Sequence, residues 1–163
     1  NIPFIAIKAS LYEGNQLQFE KVYERVIAED NEHESDNNGQ YDRAYWEGYK
    51  PTKLKVVDQL FGCVKELNKD ISLKYNKFYI GIGVNGSSNN FIYFSPKQTF
   101  VYLNIRSERS TQIDNQLNDL GFDFLTKDNY YKIRLQEFPN EAQKTFIIEM
   151  VKSAMKVEGI YSE

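Results

Sequence analysis

The chain has one cysteine, Cys63, and one histidine, His33, among its 163 residues. A single cysteine forms no internal disulfide, which is typical of a reducing compartment, so we predict a cytoplasmic protein. Cys63 lies beside Phe61 and Val64 in a segment with helical spacing, which indicates a packed thiol rather than a nucleophile. One histidine without a cysteine partner argues against a zinc site. We therefore expect no metal and no cofactor.

Signatures of catalysis are also lacking. Gly81-x-Gly83 has neither the third glycine nor the following helix of a dinucleotide-binding loop, and the segment from Gly83 to Ser88 has no lysine of the kind that binds phosphate. None of the fifteen lysines stands two residues after an acid, which is the Asp/Glu-x-Lys spacing of many nucleases. These absences predict a protein that is not an enzyme.

Long apolar runs are missing as well. No stretch approaches the roughly 20 apolar residues that a bilayer core requires, so we expect no membrane partner. At 41% hydrophobic residues the chain is still able to build one ordinary core.

Acidic residues are absent over one long stretch, the 37 residues from Ile71 to Ser107, which contain eight Phe and Tyr side chains. With 23 acids in the chain, about five would be expected there. Residues 1–49 have a net charge of −6 and residues 50–157 a net charge of +5. Cations attract phosphates and flat rings stack on bases, so this distribution indicates a nucleic-acid surface. Ordinary solvation is the alternative explanation of so modest a charge.

The pattern divides the chain into four parts. Residues 1–28 are predicted to form a β-hairpin, because two apolar segments, Phe4 to Leu11 and Gln16 to Val22, flank the turn signal Glu13-Gly14-Asn15. Residues 29–45 are almost wholly polar and predict a linker or mobile loop. Residues 46–157 are predicted to form an α+β domain, and residues 158–163 a tail.

Within the α+β domain the predicted order is α-β-β-β-α-β-α. Pro51 opens the first helix, Thr111 and Gly121 bound the second, and Asn140 with Gln143 caps the third. The predicted strands are Phe78–Val84, Phe91–Ser95, Thr99–Arg106 and Tyr130–Leu135. We expect an antiparallel sheet of about four strands, preceded by the hairpin, with helices on one face.

Strand alternation places apolar side chains from Phe78 to Leu135 under the helices and leaves an aromatic, basic face opposite. Gly81 and Gly83 on that face predict close approach of a backbone or ligand. The candidate residues for binding nucleic acid are Lys74, Lys77, Tyr79, Tyr93, Tyr102, Arg106, Lys132 and Arg134. Alternatively, the rings are ordinary cross-strand pairs that the hairpin or another subunit covers.

Three segments carry a resemblance to a known family. The segments are Leu73 to Ile82, Asn89 to Lys97 and Tyr131 to Leu135 before a terminal helix. They resemble the C-terminal domain of a bacterial family of unknown function, labelled "predicted transport protein", which is found after PD-(D/E)XK nuclease-like domains. The similarity spans about Trp46 to Met155, and the hairpin resembles the segment that closes the nuclease-like domain.

The resemblance implies a fragment that begins inside an upstream nuclease-like domain and lacks its catalytic core, and the start at Asn1 without Met agrees with a fragment. It implies no activity for any residue here. Two functions follow as hypotheses: a non-catalytic accessory module that binds DNA or RNA beside a nuclease-like partner domain, or a protein-interaction or homodimerisation module that uses the same face.

Overall fold

A computed structural model describes the backbone of residues 4–12 and 16–25 and all atoms of residues 41–161. The chain divides into two compact units, residues 1–36 and 37–163. In the first unit, β1 (Phe4–Tyr12) pairs antiparallel with β2 (Gln16–Arg25), with an irregularity between Ala6 and Ile7. This is the predicted hairpin. Its turn at residues 13–15 and residues 29–40 of the predicted linker lie outside the described residues.

The second unit is an α+β domain, as predicted. Its helices are α1 (Arg43–Tyr49), α2 (Pro51–Lys65), α3 (Thr111–Asp119) and α4 (Glu141–Val157). Its strands are β3 (Ile71–Tyr75), β4 (Ile80–Val84), β5 (Ser87–Ser88), β6 (Ile92–Pro96), β7 (Val101–Arg106), β8 (Asp123–Lys127) and β9 (Tyr130–Leu135).

The seven strands of this unit form one antiparallel sheet in the order β3-β4-β6-β7-β9-β8, with β5 paired to β4. The central register aligns Phe94 with Leu103 and Leu103 with Ile133. These side chains, with Ile80, lie under the helices and are buried. Together with Val57 and other apolar residues of α2 and α4 they form one hydrophobic core.

The predicted helix ends are mostly those observed. Pro51 occupies the first turn of α2. Asn140 and Gln143 form a reciprocal capping box at the start of α4. Gly121 has a φ of +72° and ends the turn after α3, a conformation that glycine adopts without strain. At α3, Ser110 rather than Thr111 is the capping residue, and its backbone N–H is bound by the Tyr131 hydroxyl at 2.9 Å.

The predicted strand count and element order were wrong. The sheet has seven strands instead of about four, because β3, β5 and β8 were not predicted. Strand β3 is a sheet edge, and β8 is an edge whose alternation is broken by exposed Leu125. Short edge strands bury few side chains and so leave a weak pattern.

Helix α1 was also not predicted, and it occupies residues 43–45 of the proposed linker. Asp42 caps it by accepting a hydrogen bond from Tyr45 N at 2.9 Å. Arg43 binds both carboxylate oxygens of Asp58 on α2, at 2.9 and 2.7 Å. Buried Trp46 donates from its indole nitrogen to Asn76 O at 3.1 Å. Tertiary contacts of this kind stabilise a helix too short to persist alone.

Phe78 is the one predicted core residue of the sheet that lies outside it. The Asn76 N–H donates to Tyr79 O at 3.0 Å, which closes a turn before β4 begins at Ile80. Phe78 stands in this turn and is 39% exposed. The strand therefore starts two residues later than the pattern indicated.

Candidate nucleic-acid interface

The face of the sheet opposite the core, here called the helix-free face, is the predicted aromatic and basic surface. On β9 the buried side chains face the helices and alternate with half-buried ones that belong to this opposite face. Its side chains come from all the long strands and the β3–β4 turn. Its aromatic, amide and basic side chains are Lys74, Tyr79, Tyr93, Tyr102, Asn104, Arg106, Tyr130, Lys132 and Arg134, with Gly81 and Gly83 between them. Strand β8 adds Asp123, Leu125 and Lys127 at the edge of this face.

The first group on this face is a row of three tyrosines. The Tyr79 and Tyr93 rings meet edge-to-face with centroids 5.5 Å apart, and Tyr93 and Tyr130 do so at 5.3 Å. Such geometry is the preferred arrangement of aromatic pairs. Tyr93, the central member of the row, is only 9% exposed. Tyr93 therefore offers little ring surface for stacking.

Arg106 ends this row. Its guanidinium donates to the Tyr130 hydroxyl at 2.9 Å and lies 5.5 Å from the Tyr130 ring centroid. It also forms an ion pair with Glu158, the residue that follows α4. Burial disfavours the charged form, but the hydrogen bonds to Tyr130 and Glu158 outweigh it, so the pKa of Arg106 is raised. Arg106 is thus a permanent cation with part of its charge already neutralised.

The second group surrounds Arg134. The guanidinium carbon lies 4.4 Å from the Phe100 ring centroid, and the Phe100 ring contacts Tyr102 at 4.8 Å. Asp123 on β8 forms a 3.5 Å ion pair with Arg134. The Asp123 side chain is 79% exposed, and exposed pairs of this kind contribute little. The result is a guanidinium held over a ring at the protein surface.

Asn104 and Lys132 lie between these groups and are aligned across β7 and β9. Asn104 is 0% exposed, and its amide nitrogen donates to Tyr93 O at 3.2 Å and to Tyr102 O at 3.3 Å. Its Oδ1 has no hydrogen-bond partner among the described residues, nor has the Nε of Arg134. The Lys132 ammonium likewise makes no ion pair with the described part of the chain.

The space over the two glycines is occupied by the protein itself. A Cβ on Gly81 would lie 2.4 Å from the Asn90 Oδ1, and one on Gly83 would lie 2.8 Å from the Lys74 Cε. The Lys74 ammonium donates to Gly86 O at 2.7 Å. The close approach that these glycines indicated is therefore made by neighbouring side chains.

Seven of the eight predicted residues share the helix-free face, and Lys77 does not. Lys77 stands in the β3–β4 turn, exposed, with its ammonium 5.0 Å from the Phe78 ring centroid. Three participants were absent from the predicted set: Asn104, Phe100 and Tyr130. Strand alternation had placed all three on this face, so the signal existed, but none of the three had been counted toward binding.

Three further features concern metal ligands, the cysteine and the helices of the described residues. Among them no group of three or more His, Cys, Asp or Glu side chains is placed to hold a metal. Cys63 is half-buried, and burial raises the pKa of its thiol, which disfavours the nucleophilic thiolate at neutral pH. None of the helices described in residues 41–161 has the length and apolar character needed to cross a membrane.

Comparison with protein-family models, with curated proteins and with solved structures gives no match for this chain.

Proposed function

We propose that this chain is a non-catalytic accessory module that binds nucleic acid through its helix-free face. The observation that carries the proposal is the cluster at Asn104, Lys132 and Arg134. Here Lys132, whose ammonium makes no ion pair with the described residues, is aligned with Asn104 across β7 and β9. Asn104 Oδ1 and Arg134 Nε are buried and lack partners in the described part of the chain. A buried polar group without a partner costs about 1–3 kcal/mol, so such a cluster in a folded protein calls for an explanation.

A nucleic acid has the chemistry to satisfy this cluster. Its phosphates accept hydrogen bonds from ammonium and guanidinium groups, and its bases present the amino donors that Asn104 Oδ1 lacks. The flanking Lys132 and Arg134 side chains are long and change rotamer readily, which gives a base access to the buried oxygen. Tyr102 and the Phe100-supported guanidinium of Arg134 supply flat groups for stacking. Unpaired bases are available only in single strands, which we propose as the preferred ligand.

The wider setting of this activity is also a proposal. The resemblance of residues 73–82, 89–97 and 131–135 to a domain that follows nuclease-like domains supports a role beside a nuclease-like partner in a bacterial, cytoplasmic protein. In that role the module would hold the nucleic acid while chemistry takes place elsewhere.

Fluorescence anisotropy with labelled single strands of about 16 nucleotides and with the matching duplex tests the proposal. We expect the single strand to bind more tightly, with an affinity that falls between about 50 and 200 mM salt. Lys132→Gln should weaken binding and lower the slope of log affinity against log salt by about 1. Lys55→Gln, which removes an exposed cation from α2, is the matched control and should leave both unchanged. Equal effects of the two variants, or no binding at the lower salt, would overturn it.

The second candidate function is a protein-interaction module on the same face. The near-complete burial of Tyr93 and the edge-to-face pairing of the rings favour it, because they resemble a packed surface more than an open stacking platform. In that case an oligonucleotide should not displace the partner protein, and the affinity for the partner should change little with salt concentration. Tyr102→Ala should weaken the complex with the partner more than Lys132→Gln does.

A further inference from the structure

Among the described strands, β8 ends the sheet and pairs only with β9. A two-residue turn, Asp128-Asn129, joins the two strands, so Lys127 and Tyr130 are a hydrogen-bonded pair. By alternation, the backbone groups of Phe124 and Thr126 point away from β9. No hydrogen bond within the described part of the chain uses these outward N–H and C=O groups. The outer edge of β8 is therefore a ready template for another strand.

The side chains of β8 on the helix-free face have a symmetrical order. They are Asp123, Leu125 and Lys127, an acid and a base at equal distances from a central apolar residue. Both charged side chains also have contacts within their own copy, and the one between Asp123 and Arg134 is the exposed 3.5 Å ion pair described above. Leu125 is 59% exposed, which makes it the second most exposed of the large apolar side chains described. A lone charge on an edge strand opposes self-pairing, but an acid and a base placed symmetrically do not.

We propose that β8 pairs with β8 of a second copy of this chain, antiparallel and centred on Leu125. This inference goes beyond the proposed function and does not depend on it. In that register Leu125 meets Leu125 of the other copy, and each Asp123 lies opposite the other copy's Lys127. The outward backbone groups of Phe124 then bond those of Thr126 across the two-fold axis. Directly opposed side chains of opposite charge stabilise an antiparallel pair.

A parallel β8 pair or a pair of β3 strands would not bring opposite charges together. A parallel, in-register pair would set Asp123 against Asp123, and like charges directly opposite are destabilising. At the other end of the sheet, β3 has Ser72 and Lys74 on this face and no acid, so self-pairing there gains no ion pair. Charge complementarity therefore selects β8, the antiparallel direction and a single register.

The pairing would join two sheets into one. The helix-free faces of the two copies would become continuous, with the two Lys132 positions three strand spacings, or about 14 Å, apart. A nucleic acid crossing the two-fold axis would meet both clusters, although the dimer itself requires no ligand.

A charge-reversal pair tests the register. Sedimentation equilibrium should show the mass of the unaltered chain rising with concentration from 19.1 kDa toward twice that value. Asp123→Lys and Lys127→Asp should each remain monomeric, because every cross-strand contact then joins like charges. An equimolar mixture of the two variants should recover the dimer, since both contacts are again between opposite charges. A monomeric unaltered chain, or a mixture that stays monomeric, would refute the proposal.

Disulfide trapping gives an independent readout. In a Cys63→Ser background, Leu125→Cys places two thiols in a directly opposed pair, within the Cα separation that a disulfide requires. Mild oxidation should convert this variant to covalent dimer. Lys127→Cys is the matched control, because its thiol would face Asp123 and should cross-link at least tenfold more slowly. Equal cross-linking at both positions would show random collision and overturn the register. Lys132→Gln, which tests nucleic-acid binding, should leave this dimer intact. A failure of the nucleic-acid proposal can therefore be distinguished from a failure of the dimer proposal.

Discussion

The two faces of one sheet differ in how completely their polar groups are satisfied. Leu103 and Asn104 are neighbours in β7 and both are buried, yet Leu103 faces the core and Asn104 faces the aromatic and basic surface. The core face of the central strands presents carbon and the Tyr131 hydroxyl, which is fully hydrogen-bonded. The helix-free face holds Asn104 Oδ1 and Arg134 Nε, which lack partners in the described residues. The comparison shows one face that satisfies its polar groups within the protein and one that does not, which is what the proposed binding face requires.

Leu103→Ala should produce the largest loss of stability, and it tests the difference between the two faces directly. The lost side chain is 1% exposed and leaves a cavity in the core, so the free energy of unfolding should fall by about 2–5 kcal/mol. Urea denaturation measures this change. Lys132→Ala, which changes a residue on the neighbouring strand and on the other face, should cost under about 1 kcal/mol. Similar costs at both positions would break the comparison.

Tyr131→Phe should have the next largest effect on stability. The Tyr131 hydroxyl donates to Asp114 Oδ1 at 2.8 Å and accepts from Ser110 N at 2.9 Å. Burial raises the pKa of Tyr131, so the hydroxyl keeps its proton at neutral pH. Its removal leaves the start of α3 without these partners and should reduce stability by about 1–2 kcal/mol in urea. Tyr102→Phe is the control on the opposite face and should change stability by less than about 0.5 kcal/mol.

Asn104→Val separates stability from binding most cleanly. Valine has no unpaired oxygen to bury and suits a central strand, so stability should stay constant or rise by up to about 1 kcal/mol. Oligonucleotide affinity should fall in the same variant. A loss of stability above about 2 kcal/mol would mean that the amide nitrogen of Asn104 holds the strands together, and that the residue is structural.

Gly83→Ala should have the smallest effect on stability. The added methyl group meets the Lys74 Cε, which is near the end of a flexible side chain and can move away. The smaller entropy cost of ordering alanine offsets this adjustment, so the melting temperature should change by no more than about 4 °C. A large destabilisation would show that the helix-free face is packed as rigidly as the core.

The sequence predicted the features that depend on local chemistry. Alternation assigned Ile80, Phe94, Leu103 and Ile133 to the core because each central strand buries every second residue on one side. The capping box at Asn140 was predictable because its two partners are three residues apart.

Features that depend on tertiary contacts could not be predicted in the same way. Helix α1 is held by Arg43 and Trp46 through residues far along the chain. Strand β8 buries little and is defined by its partner β9. In the candidate site, alternation brought Tyr102, Lys132 and Arg134 to one face. It could not reveal that Tyr93 is only 9% exposed or that Asn104 Oδ1 lacks a partner among the described residues, because both depend on side-chain placement.

The most direct test of the account is an amide chemical-shift titration of the 163-residue chain with the single-stranded oligonucleotide. The account predicts that Tyr102, Asn104, Lys132 and Arg134 shift together and saturably, while Lys55 on α2 does not. Shifts confined to the helices, or a spectrum unchanged by the oligonucleotide, would contradict the claim that the helix-free face binds nucleic acid.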